Sequence, residues 1–212
     1  MTGSYEPVRI GIALLLLFLP AIIVLHELGH FWAARWLGIE LIEFSIGLGS
    51  VLKKWHRNGV EYSFHLWPVA AHVRPAIAKR DSLGAKNPKL IQNHPMWHQL
   101  LFLAGGAIAN ISFAYVLLFV RGISGGEGIG AVMWGSVGEL GSWAGFLAGR
   151  VGAALFGIGG AGAPLPLLAF EQQLAFLSLI FGLINLVPIP PFDGGRIFVI
   201  LLRKFGNRAK AK

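Results

Sequence analysis

Residues 10–34 begin Ile10-Gly11-Ile12-Ala13-Leu14-Leu15-Leu16-Leu17-Phe18 and run on to His26-Glu27-Leu28-Gly29-His30. About 20 consecutive apolar residues, wound as a helix, cross the ~30 Å hydrocarbon core of a bilayer. This stretch is long enough, so the chain is read as membrane-embedded. A cleaved signal peptide is the competing interpretation. The run is too long for one, no A-x-A site follows it, and it holds the most chemically reactive side chains of the sequence. It is expected to stay in the mature protein.

Composition points the same way. Of 212 residues, 55% are hydrophobic and 13% charged, with a mean hydropathy of +0.64. A soluble domain carries roughly a quarter of its residues charged, so a solvated globule is excluded. The absence of cysteine removes disulfides and thiolate metal sites and leaves His, Asp and Glu as metal ligands. Further apolar runs at 97–120 and 167–191 complete the expected fold. It is a mainly α membrane protein with three core transmembrane helices, forming a single unit over 1–212.

Charge placement orients it. Loop 35–96 carries nine basic residues (Arg35, Lys53, Lys54, Arg57, Arg74, Lys79, Arg80, Lys86, Lys89), and tail 196–212 carries six (Arg196, Arg203, Lys204, Arg208, Lys210, Lys212). Arg9, Arg121 and Arg150 remain for the other side. This fifteen-to-three division puts the loop and tail in the cytoplasm and the N-terminus outside. The net charge of +8 thus reads as membrane orientation, with the tail held beside anionic lipid and no nucleic acid as partner.

Within the loop, Val60, Tyr62, Phe64 and Leu66 alternate with Glu61, Ser63, His65 and Trp67 directly after Asn58-Gly59, a hairpin turn signal. Leu41–Leu48 is the expected partner strand. The resulting small sheet should rest its apolar face on the membrane, with an edge near Val60–Trp67 open to an extended peptide. Segment 122–166 is rich in Gly and Ala. It is expected to lie outside as a re-entrant or amphipathic segment rather than a fourth crossing.

His26-Glu27-Leu28-Gly29-His30 is an H-E-x-x-H motif. On a helix its two imidazoles share one face, as two ligands of one zinc require. Glu27, beside them, can take a proton from a water and return it to a leaving amine. Two hydrogen-bonded helix histidines are the plainer alternative. In a membrane helix, however, three ionisable groups within five residues together cost on the order of several kcal/mol unless a site compensates them. The missing protein ligand has a candidate in Asp193, within Asn185-Leu186-Val187-Pro188-Ile189-Pro190-Pro191-Phe192-Asp193-Gly194-Gly195. Three prolines and two glycines there break the helix, which is tolerated at membrane depth only against protein or a wet cavity. With three crossings, His26, His30 and Asp193 fall at matching depth.

These two motifs, the central Gly106-Ala107-Ile108-Ala109-Asn110, and Glu43-Phe44-Ser45-Ile46-Gly47-Leu48-Gly49 in the loop together resemble the site-2 protease family of intramembrane zinc metalloproteases. The resemblance implies one zinc held by His26, His30 and Asp193, with Glu27 as catalytic acid/base. Asn110, with Gly106 and Asn185, would support the site or the substrate backbone. It also implies cleavage of single-span membrane-protein substrates, and a location in the inner membrane of a bacterium. Many bacterial members carry PDZ domains between the last two core spans. The interval here is too short for one, so a minimal core is expected. The alternatives from other classes are a transmembrane zinc transporter, which would need more spans and a second ligand-rich helix, and an inactive relative, which the intact Glu27 disfavours. The remaining histidines, His56, His65, His72, His94 and His98, fall in or beside the loop and read as interfacial.

Overall fold

The computed structural model describes residues 6–77, 88–156 and 170–209. Several sequence expectations lie outside the described residues: positions 167–169 of the third span, 157–166 of the Gly-rich segment, 210–212 of the tail, and Lys79, Arg80 and Lys86. The element order is α1 (Glu6–Leu37), β1 (Leu41–Arg57), β2 (Val60–Pro75), a 3₁₀ turn (Ile91–Asn93), α2 (Met96–Ser124), α3 (Ile129–Phe156), α4 (Phe170–Asn185) and α5 (Asp193–Ala209). The fold is mainly helical with one two-stranded sheet. Its residues divide into two compact units, Met1–Phe18 with Ile111–Phe181, and Leu19–Asn110 with Gly182–Lys212.

Among the described residues, two helices are long and apolar enough to cross a membrane, Leu17–Leu37 and Met96–Ser124. The third expected span differs. The 16 residues of α4 rise about 24 Å at 1.5 Å each, short of the ~30 Å core. Pro188, Pro190 and Pro191 follow, each lacking the N–H that helix continuation needs, and the chain turns irregularly through 186–192 before α5 begins at Asp193.

The second unit contains the hairpin. At its tip Asn58 (φ 52°) and Gly59 (φ 78°) form the doubly left-handed turn that matches strand twist. The strands are longer than the alternation alone suggested, because β1 bends at Gly47 (φ 100°) and Gly49 (φ 85°). At Gly47 a Cβ would lie 2.9 Å from the Trp67 carbonyl oxygen. The bend folds β1 into two arms. Lys53 to Arg57 pair with Phe64 to Val60, while Glu43 to Ile46 have neighbours on both sides, Arg74 to Ala71 on one and Glu61 to Phe64 on the other. Residues 61–64 are therefore interior, correcting the expected edge, and the outer arm of β2 is 71–75. Ser63 Oγ donates to Ser45 Oγ at 2.9 Å, satisfying two buried hydroxyls between the arms. Lys54 Nζ lies 2.8 Å from Glu61 Oε1, and this bond holds the carboxyl below the usual carboxylate range.

Helix α1 closes with the Ile39 N–H donating to the Ala34 carbonyl at 2.9 Å, the bond of a Schellman motif. The chain is thereby aimed into β1. Ala34, Leu37, Ile39, Leu41, Phe44, Val60, Phe102 and Leu103 form one buried cluster, flanked by Ile197 and Ile200 of α5. Leu48, Val51, Leu52, Leu66, Trp67 and Val69 stay exposed on the hairpin.

In the first unit α3 runs as a continuous 28-residue helix where the sequence suggested a re-entrant or amphipathic segment. It packs closely because Gly122 meets Val132 without a side chain of its own; a Cβ there would lie 2.9 Å from the Val132 methyls. Trp143 meets Phe176 edge-on at 5.2 Å. Glu139 accepts from Arg121 at 3.2 Å and from the Gln172 amide at 2.8 Å.

Candidate metal centre

The site lies within the second unit and starts from a helix crossing. At Gly105 a Cβ would stand 2.8 Å from the Gly29 carbonyl oxygen and 3.0 Å from the Ala33 Cβ, and a Cβ at Gly29 would run into the Gly105 carbonyl. Small residues spaced by four on each helix, Gly29 and Ala33 against Gly105 and Ala109, let α1 and α2 touch backbone to backbone, the small-residue packing of membrane helices. That contact brings Gly106 flush against both imidazoles. A Cβ at Gly106 would lie 2.5 Å from His26 Nε2 and 2.6 Å from His30 Nε2.

Asp193 arrives from the other side as the first residue of α5. The chain reaches it through short turns, with Leu186 N–H bonded to the Leu183 carbonyl (3.0 Å) and Phe192 N–H to the Ile189 carbonyl (3.1 Å). Gly194 and Gly195 let the first turn of α5 lie on that segment. A Cβ at Gly195 would stand 2.7 Å from Pro190 N, and one at Gly194 would strike the Leu186 carbonyl.

Three side-chain atoms converge there. Asp193 Oδ2 is 3.1 Å from His26 Nε2 and 3.0 Å from His30 Nε2, and the two nitrogens are 3.1 Å apart. Both imidazoles are buried, at 3% and 5% exposure. His30 Nδ1 donates to the Phe102 carbonyl oxygen at 2.8 Å, so in the neutral ring Nε2 carries the lone pair. That lone pair faces a carboxylate oxygen and a second imidazole nitrogen. One bridging proton satisfies a single side of the triangle, whereas a cation satisfies all three. Tetrahedral zinc with ligands at 2.0–2.2 Å sets its ligand atoms about 3.3 Å apart. The donor set and its spacing fit zinc.

Around the triangle, Asn110 is fully buried with its amide nitrogen 3.3 Å from His26 Nδ1. An amide turned by 180° occupies the same space and presents its oxygen to the Nδ1 proton, which leaves Nε2 as the donor atom. Asp193 Oδ1 faces Arg196 at 3.8 Å. Glu27 sits between the histidines in sequence, and His26, Glu27 and His30 each offer an atom within 4.8 Å of the others. Its Oε2 accepts the Val73 backbone N–H of the outer β2 arm at 2.9 Å. The structure thus gathers His26, Glu27, His30, Gly106, Asn110 and Asp193. Asn185 stands half-buried as the last residue of α4. Two participants were missed from sequence, the Phe102 carbonyl and the Val73 amide. Both are backbone groups, which no residue type announces.

Comparison with known proteins gives several relatives. The chain is 38% identical over 125 residues to the membrane metalloprotease ARASP, chloroplastic, of Arabidopsis thaliana, covering 58% of this chain and 27% of that protein. A Nostoc sp. protein carrying the name zinc metalloprotease is 38% identical over 104 residues, 49% of this chain and 29% of its own. The regulator of sigma-E protease RseP of Salmonella typhimurium is 31% identical over 120 residues, 54% and 27% respectively. The chain thus spans between a quarter and a third of the length of these curated relatives. Residues 14–212 match the sequence model of Peptidase family M50, and the chain belongs to that family.

Proposed function

We propose that this chain is the core of an intramembrane zinc metalloprotease, hydrolysing peptide bonds in or near the transmembrane segments of single-span membrane proteins. The observation that carries this reading is the 3.0–3.1 Å triangle of His26 Nε2, His30 Nε2 and Asp193 Oδ2, set between the apolar α1 and the start of α5 with a carboxylate beside it. Family membership supports it.

In this reading His26, His30 and Asp193 hold one zinc. When bound, zinc supplies a Lewis acid for the scissile carbonyl and acidifies water. The protein does the rest. Glu27 accepts a proton from the attacking water and delivers it to the leaving amine. Phe102 and Asn110 fix the ring orientations through the nitrogens that face away from the triangle, and Gly106 keeps that side of the site clear. Burial of the imidazoles excludes bulk water. The substrate must unwind locally before it is cut, because the carbonyls of an intact helix are already hydrogen-bonded.

The membrane reading keeps the N-terminus outside and both loop 35–96 and the tail in the cytoplasm, which supports placement in a bacterial inner membrane. The short α4 and the break at 186–192 together make the third crossing. The amphipathic α5, with Phe198, Val199 and Leu202 exposed beside Arg196, Arg203 and Lys204, suits the lipid surface. The test is zinc-dependent cleavage of a panel of single-span substrates by purified protein in lipid nanodiscs. Cleavage abolished by chelation and restored by zinc is expected. Zinc flux in liposomes without any cleavage would replace the protease with a carrier.

A further inference from the structure

One contact at the site joins a helix to a sheet edge 46 residues away. The Val73 N–H donates to Glu27 Oε2 at 2.9 Å. Val73 lies beside Phe44 in the ladder, yet its N–H is turned away from β1. Just past the arm, the Ala76 N–H points inward and donates to the Glu40 carbonyl at 2.8 Å, in step with even-numbered N–H groups facing β1. Period two puts the N–H groups of 71, 73 and 75 outward. Position 75 is proline and has none, so Val73 is the outward donor nearest the loop end of the strand. It points at the carboxylate that the proposed mechanism uses.

We propose that the backbone amide of Val73 is the positioning group of Glu27, holding Oε2 so that Oε1 is presented for proton transfer. The inference rests on the reading of Glu27 as the general base. A glutamate has three side-chain torsions and loses much rotamer freedom when fixed. A charge-assisted N–H···O⁻ bond selects one rotamer, and proton transfer demands hydrogen-bond geometry. The anchoring group is supplied by the sheet while the ligands stand on the helices, so the hairpin takes part in catalysis through its main chain.

Two measurements test this in zinc-loaded protein in nanodiscs. Val73→Pro deletes the N–H, and Pro75 shows that an outward position on this edge accommodates proline; Val73→Ala trims the side chain and keeps the N–H. The expected result is a kcat for Val73→Pro at least tenfold below that for Val73→Ala, with KM and zinc content within twofold of each other. Equal kcat values at equal zinc content overturn the proposal. The second measurement is independent of turnover. Exchange of the Val73 amide hydrogen should be at least tenfold faster in Glu27→Ala than in wild type, and identical exchange overturns the proposal. Should the proline variant lose its fold and zinc, the exchange comparison decides. Should the wild type cleave nothing, the protease reading fails while the exchange result still judges the contact.

Discussion

His30 Nδ1 stands 2.8 Å from the carbonyl oxygen of Phe102, so the backbone of α2 sets the tautomer of a ring carried by α1. The Phe102 carbonyl lies three residues before Gly105, where α2 touches α1. The crossing that brings the helices together therefore also aims the ring. The geometry of the His26–His30–Asp193 triangle depends on this packing as much as on its own side chains.

Glu27→Gln keeps the shape of the side chain and its ability to accept from Val73 but cannot take up a proton. General-base contributions run about 10²–10⁴-fold, so cleavage should fall by at least about 10²-fold with zinc content unchanged. Turnover and metal analysis on the same preparation check this. Appreciable cleavage by the purified variant would remove Glu27 from its assigned role.

Asp193→Ala removes one corner of the triangle, together with its charge. Loss of a group that merely orients a ligand already costs 10–100-fold in metal affinity, and loss of a ligand should cost at least as much. Competition with a chromophoric chelator measures it. Glu61→Gln, altering a half-buried hairpin carboxylate away from the site, should leave zinc affinity within twofold; equal affinities for the two variants would refute the third-ligand assignment.

At Gly106 a single methyl is enough to interfere. The added Cβ of Gly106→Ala would lie 2.5–2.6 Å from both ligand nitrogens, closer than real contacts allow, so helix or rings must shift. Overpacking of this kind typically costs about 1–3 kcal/mol. The variant should melt earlier and bind zinc at least tenfold more weakly; wild-type zinc affinity with a wild-type melting curve would show that the rings have room.

Topology is open to labelling, because the chain has no cysteine of its own. Single cysteines replacing Lys89 and Lys204 should react from the same, cytoplasmic, side, and one replacing Glu127 from the opposite side. If positions 89 and 204 react from opposite faces, the three-crossing reading fails.

The sequence was most informative where side chains carry the message. The apolar runs around His26 and through 97–120 correspond to the two long apolar helices, and Asn58-Gly59 marks the hairpin tip. That His26, His30 and Asp193 come together was legible from the cost of ionisable groups in an apolar helix and from the helix break that precedes Asp193. The pairing of β1 was not legible. Alternation along Val60–Leu66 reports which face each side chain takes, whereas the number of neighbouring strands depends on the bend at Gly47. Proline arithmetic at 188–191 indicated a break without its extent, so α4 is shorter than the apolar run. The Val73 and Phe102 contacts left no trace, since every residue but proline brings the same amide, and every residue the same carbonyl.

The proposed ligands are also far apart in time. His30 precedes Asp193 by 163 residues, and ribosomes add roughly 5–20 residues per second. A nascent chain therefore holds its two histidines for roughly 8–30 s before the aspartate is made, and longer before α5 clears the exit tunnel. During that interval the proposed centre lacks its third ligand, and metal should be held weakly. On the proposed reading, the order of the motifs delays completion of the centre until Asp193 and α5 have been made.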